Sequence, residues 1–118
     1  MRVLFTIAVY LLSTATAGAQ STRVAATGGD IVITPIVHAS VQVEHGETVI
    51  HVDPWSKGDL SSAKLADLIL VTDDPAHHLD PVAIQQLRKP GAPVVLTATA
   101  QAAYGVLLAL ASAWRARA

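Results

Sequence analysis

LILVTDDPAHHLDP, residues 68–81, is the stretch that decides the fold. It opens with four consecutive apolar residues, Leu68 to Val71, a run typical of a strand buried on both faces of a sheet. A polar loop follows. Asp80-Pro81 then has the pattern of a helix start, with an acid as the N-cap and proline at the first helical position. Strand, polar loop and helix in this order predict a loop at the carboxyl end of a central strand.

The flanking sequence extends this unit into a mixed sheet. Residues 40–44 (SVQVE) alternate polar and apolar, and residues 48–53 (TVIHVD) resume a β-branched pattern after His45-Gly46, which predicts a hairpin. An apolar run at residues 31–36 predicts a strand before it, and residues 93–96 predict one after the helix. Residues 99–118 are rich in alanine and leucine and predict a final helix. The fold class is therefore α/β with a mixed sheet, an α+β arrangement.

The first nineteen residues have the pattern of a secretory signal peptide. Arg2 supplies a positive start, Val3 to Leu12 an apolar core, and Ala17-Gly18-Ala19 a small-residue cleavage site. The alternative is an uncleaved anchor, but the apolar core is shorter than the ~20 residues that span a bilayer. We therefore predict a signal peptide at 1–19, a polar linker at 20–29 and a domain at 30–118. The mature protein is expected to be secreted or periplasmic, with no stable membrane anchor.

Composition narrows the class of protein. The chain carries 8 Lys+Arg and 9 Asp+Glu, a net charge of -1, so it lacks the basic patch of a nucleic-acid-binding protein. It has no cysteine, so an exported domain of this size has no disulfides to stabilise it. Because a core this small is marginal, a bound metal or a partner subunit would ease the difficulty.

The polar loop contains the side chains most capable of chemistry. Asp73, Asp74, His77 and His78 follow the central strand, and sites in open α/β sheets collect outside the carboxyl ends of strands. Imidazole nitrogen and carboxylate oxygen are the usual ligands of a catalytic zinc. The alternative is a solvated loop with no ligand, because polar loops with two histidines are common.

Three segments together resemble the metallo-β-lactamase fold. They are His38–Ser40 (HAS), Val52–Trp55 (VDPW) and Leu68–Thr72 (LILVT), in the order and spacing of the metal-dependent hydrolases related to L-ascorbate-6-phosphate lactonases. The resemblance implies the N-terminal half of an αββα sandwich. It also implies a hydrolase in which metal-bound hydroxide attacks an ester, lactone or phosphodiester bond of an unspecified small-molecule substrate.

The resemblance also implies a ligand set, with departures. The family's motif positions fall on Asp73, Pro75, His77 and His78, and only His78 matches in identity. Because proline cannot ligate, the implied metal ligands are Asp73, His77 and His78, helped by Asp53. Asp73 and His78 are the implied catalytic residues. The implied cofactor is zinc or another divalent metal.

Several alternatives stay open. The protein could be a catalytically inactive, truncated relative, since the family's later ligands lie in a half that has no counterpart here, or a small exported binding module. Half of a sandwich would expose the inner face of its sheet, an apolar patch that favours a homodimer. His38 is interpreted as a partly buried structural histidine. Asp80 is interpreted as a helix N-cap.

Overall fold

The computed structural model describes residues 20–105. The predicted signal peptide and the end of the predicted last helix lie outside these residues. Within them are six strands and two helices: β1 (Thr22–Val24), β2 (Ile31–Val37), β3 (Ser40–His45), β4 (Thr48–Val52), β5 (Leu68–Val71), α1 (Pro81–Leu87), β6 (Val94–Leu96) and α2 (98–105). No helix in this part of the chain has the length and apolar character needed to cross a membrane.

The strands form one sheet in chain order, β1-β2-β3-β4-β5-β6. The first four are antiparallel, and Val43 lies opposite Ile50 in the predicted hairpin. β4, β5 and β6 are parallel, which makes β5 a central strand with α1 in the crossover to β6. The predicted α+β class with a mixed sheet is confirmed, and the arrangement is consistent with half of a β-lactamase-like sandwich.

One face of the sheet carries both helices. Ile69 and Val71 of β5 are buried there against Ile84 of α1 and Ala100 of α2. This contact explains why the 68–71 run is continuously apolar: alternate residues enter this core, and the others point to the opposite face.

The opposite face is apolar but has no helix on it among residues 20–105. By register it carries Ile33, Val43, Ile50 and Leu70, all partly buried, together with Val95, which is 53% exposed. This is the face that a second layer covers in a sandwich. Coverage by a second copy of the chain stays a prediction.

The segment at 20–29, predicted as a linker, contains the short edge strand β1. All three residues of β1 are exposed, and the strand is held by its antiparallel pairing with β2. Backbone pairing without burial leaves no hydrophobic periodicity in the sequence, which is why the pattern gave no indication of a strand there.

Candidate metal centre

The candidate site lies at the edge of the sheet where β4 and β5 end. Asp53 directly follows β4, and Thr72 directly follows β5. The two-residue turn between β2 and β3 reaches the same edge because β3 runs antiparallel to β4, with Val41 opposite Val52. This topology brings His38, in that turn, to the loop between β5 and α1.

Three imidazoles converge there. One nitrogen from each of His38, His77 and His78 lies within 4.8 Å of the other two. The ring centroid of His77 lies 4.5 Å from that of His38 and 4.5 Å from that of His78. His38 is exposed and the other two are half-buried, so the cluster opens to solvent on one side. Since zinc–nitrogen bonds are about 2.0–2.1 Å long, small side-chain rotations would let the three nitrogens share one ion.

Asp53 lies behind this cluster and holds His78. Its carboxylate is buried, and Oδ2 accepts a hydrogen bond from Nδ1 of His78 at 2.7 Å. Because a carboxylate accepts, this contact favours the tautomer of the neutral imidazole that carries its proton on Nδ1, with the lone pair on Nε2. A carboxylate that orients a histidine in this way is the usual support of a metal-ligating imidazole.

Thr72 contacts both oxygens of the same carboxylate. Its backbone N–H donates to Oδ1 of Asp53 at 2.7 Å, and its hydroxyl donates to Oδ2 at 2.6 Å. Together with the bond from His78, these contacts engage both oxygens of Asp53 inside the protein. A role of Asp53 at the metal site stays a prediction.

The backbone is strained at two positions of the site. His38 has φ 53° and Asp53 has φ 44°, the positive-φ residues other than glycine within 20–105. Such conformations cost about 1–3 kcal/mol and concentrate at functional sites. The turn position of His38 favours glycine, because a residue without a Cβ adopts positive φ at no steric cost.

The structure places some of the predicted ligands in the cluster of imidazoles and others outside it. His77 and His78 come together as predicted. Asp73 is exposed, its Oδ1 accepts from the backbone N–H of Asp74 at 2.9 Å, and it is outside the group of converging nitrogens. A ligand role for Asp73 stays a prediction. Pro75 serves the turn, because its carbonyl accepts from the N–H of His78 and Leu79.

His38 matches the histidine of the family's Gly-His segment, and the favoured interpretation is a partly buried structural histidine. In the structure it is exposed, and one of its nitrogens joins the cluster. The available signal was its position in a two-residue hairpin turn whose strands are antiparallel, which sends the turn to the site edge.

Asp80 is the N-cap of α1, as predicted. Its Oδ1 accepts from the N–H of Val82 at 2.9 Å and of Ala83 at 3.3 Å, and its Oδ2 accepts from Ser56. Burial raises the pKa of Asp80, but the hydrogen bonds from Ser56 and from the helix N–H groups outweigh it and lower that pKa overall. The bonds to Ser56 tie the loop that carries Trp55 to the helix.

Trp55 borders the imidazoles. Its ring centroid lies 6.1 Å from that of His38 and 6.2 Å from that of His77, both in edge-on geometry. The half-buried indole therefore forms one wall of the site.

Comparison with known proteins bears on the fold that carries this site. A scan against family models finds no match, and a search of curated proteins finds none either. Among solved structures, this chain is similar to a protein from Parabacteroides distasonis ATCC 8503 that is named provisionally as a metal-dependent hydrolase. The two share 31% identity with a TM-score of 0.67 over 74% of this chain. The chain spans 40% of that protein's length. The likeness supports a metal-dependent hydrolase fold.

Proposed function

We propose that this protein is a metal-dependent hydrolase whose ion is held by His38, His77 and His78. The observation that carries the proposal is the convergence of three imidazole nitrogens within 4.8 Å, beside a buried carboxylate that orients one of them. The similarity to a protein named as a metal-dependent hydrolase supports the same reaction class.

The donor set favours a borderline transition metal. Three neutral imidazoles suit zinc, copper, iron or nickel, whereas magnesium and calcium require oxygen ligands. Three protein ligands also leave a fourth position free, the arrangement of catalytic zinc. We therefore propose zinc. When bound, the ion would supply Lewis acidity and a water molecule that ionises near neutral pH.

The residues of the chain prepare the site for this chemistry. Asp53 orients His78 through its Nδ1, so that Nε2 is the nitrogen directed to an ion, and exposed His38 leaves the mouth of the site open to an ester, lactone or phosphodiester substrate. Asp73, on the rim of the loop, is proposed to accept or return the proton of the reaction. A test for that role is retention of zinc with loss of turnover in Asp73→Asn.

A second candidate is a metal-binding protein without activity. Pro75 occupies a ligand position of the resembling family. Because proline cannot ligate, this substitution favours a site that retains an ion but lacks part of the catalytic machinery. Bound zinc with no hydrolysis across ester, lactone and phosphodiester substrates would support this candidate.

We also propose that the protein is exported, on the basis of residues 1–19. Expression of the whole chain in a bacterium, followed by mass spectrometry of the product, is the test. A mature N-terminus at Gln20 in a secreted or periplasmic fraction supports export, and an intact Met1 in the cytoplasm contradicts it.

The test of the metal site is the zinc content of the full chain, purified without chelator. We expect about one ion per chain, lost in the His77→Ala/His78→Ala double variant. His45→Ala is the matched control, because His45 is exposed on β3 and outside the cluster. Folded wild-type protein without metal, or a double variant that binds as wild type does, would refute the proposal.

A further inference from the structure

Thr72 is a residue to which neither the sequence motif nor the structural similarity assigns a role. It contacts both oxygens of Asp53, the carboxylate that orients His78. We propose that Thr72 is a positioning residue that sets the metal affinity of the site by locking the carboxylate of Asp53 against His78. This inference rests on the proposed metal site.

Rotation of the Asp53 carboxylate about its terminal torsion has to be restricted by a neighbouring residue. The terminal torsion of an aspartate is broad and roughly two-fold, so backbone position alone does not hold either oxygen in place. Asp53 must nevertheless keep Oδ2 at Nδ1 of His78, because a turned carboxylate would release the imidazole. Two donors on different oxygens restrict that rotation more than two donors on one oxygen.

Thr72 supplies both donors from one residue. Its N–H fixes Oδ1 at 2.7 Å and its hydroxyl fixes Oδ2 at 2.6 Å. The hydroxyl also lies 3.3 Å from Nδ1 of His78, so hydroxyl, carboxylate oxygen and imidazole form a closed triangle. Every substitution of Thr72 except proline keeps the backbone N–H. A variant can therefore remove only the hydrogen bond from the hydroxyl.

The position of Thr72 outside the apolar core distinguishes a positioning role from a role in packing. Thr72 is exposed, directly after β5, and its side chain is not part of either buried apolar cluster. Removal of its hydroxyl should therefore leave the apolar core unchanged and cost only the hydrogen bond to Asp53. Partners that bond directly to a ligand contribute 10–100-fold in metal affinity, and Thr72 acts one bond further out. We expect about threefold to tenfold weaker binding on its removal.

The experiment is zinc titration of the full chain against a competing chelator, for wild type, Thr72→Val and Thr72→Ser. We expect Thr72→Val to bind about threefold to tenfold more weakly, and Thr72→Ser, which keeps the hydroxyl, to bind within about twofold of wild type. Thr48→Val is the matched control, because Thr48 is an exposed threonine on β4. All four proteins should unfold cooperatively in chelator, with the midpoint of Thr72→Val lowered only by the loss of one hydrogen bond.

Each outcome bears on a different statement. Wild-type affinity in Thr72→Val, or equal weakening in Thr72→Ser, overturns the role of the hydroxyl while leaving the metal site intact. A Thr72→Val protein that has no cooperative unfolding transition in chelator overturns positioning in favour of a structural role. Folded wild-type protein that binds no zinc overturns the proposed site and this inference with it.

Discussion

Replacement of His38 by glycine should stabilise the metal-free protein and destabilise the metal-bound one. His38 has φ 53° at a turn position that favours glycine. A left-handed conformation costs a residue with a Cβ about 1–2 kcal/mol. Glycine avoids that cost but loses about 0.5–1 kcal/mol more conformational entropy on folding. The net gain is about 0.5–1 kcal/mol.

His38→Ala is the matched control, because alanine removes the imidazole but keeps the Cβ and therefore the strain. In chelator, His38→Gly should melt about 2–8 °C above both His38→Ala and wild type, since 1 kcal/mol shifts a domain of this size by about 4–8 °C. Calorimetric melting in chelator measures this difference.

Added zinc should reverse this order of melting temperatures. Wild type gains about 2.7 kcal/mol when free zinc is a hundredfold above its dissociation constant. Both variants lack one of three ligands and should gain much less, so wild type should melt highest. Equal melting of His38→Gly and His38→Ala in chelator would refute the strain argument. Equal zinc stabilisation of wild type and both variants would refute the role of His38 as a ligand.

Three further substitutions test the support of the cluster and the stability of the fold. Asp53→Asn should weaken zinc binding about 10–100-fold in a chelator competition. It should also lower the free energy of unfolding in urea by about 1–3 kcal/mol, because the amide NH2 that replaces one oxygen cannot accept a hydrogen bond from Thr72. Unchanged zinc affinity would contradict this prediction. Burial lowers the pKa of His51 from 6.5, so the folded state binds fewer protons and stability is lost as the pH falls below about 6.5 towards the folded pKa. His51→Gln should flatten that loss in urea titrations at several pH values, whereas His45→Gln should follow wild type; equal slopes in all three would contradict this account. Gly58→Ala should lower the urea stability by about 1–3 kcal/mol, because a Cβ there would lie 2.6 Å from Cγ1 of Val37; an unchanged midpoint would show that the neighbouring side chains move aside without cost.

The strands and α1 were predictable because their signals are local. The alternation at 40–44, the apolar run at 68–71 and the Asp80-Pro81 start each reflect burial or capping within a few residues. β1 carried no such signal, because pairing with β2 at an exposed edge requires only backbone groups.

The site was predictable only in part. His77 and His78 are neighbours in the chain, so a sequence motif could mark them together. His38 joins them only through the strand order, which carries the β2–β3 turn to the ends of β4 and β5. The support of His78 by Asp53 likewise needs β4 and β5 to lie side by side.

The sequence by itself determined the elements from β2 onward, the mixed fold class and the loop that carries two of the three converging histidines. Tertiary structure alone decided the third member of the cluster, the contact of Asp53 with His78 and the sheet face that both helices leave uncovered. The physical reason is the distance along the chain over which each interaction acts. Hydrophobic period, capping and turn preference act between residues close in the chain, whereas a ligand cluster depends on which strand ends the sheet places together.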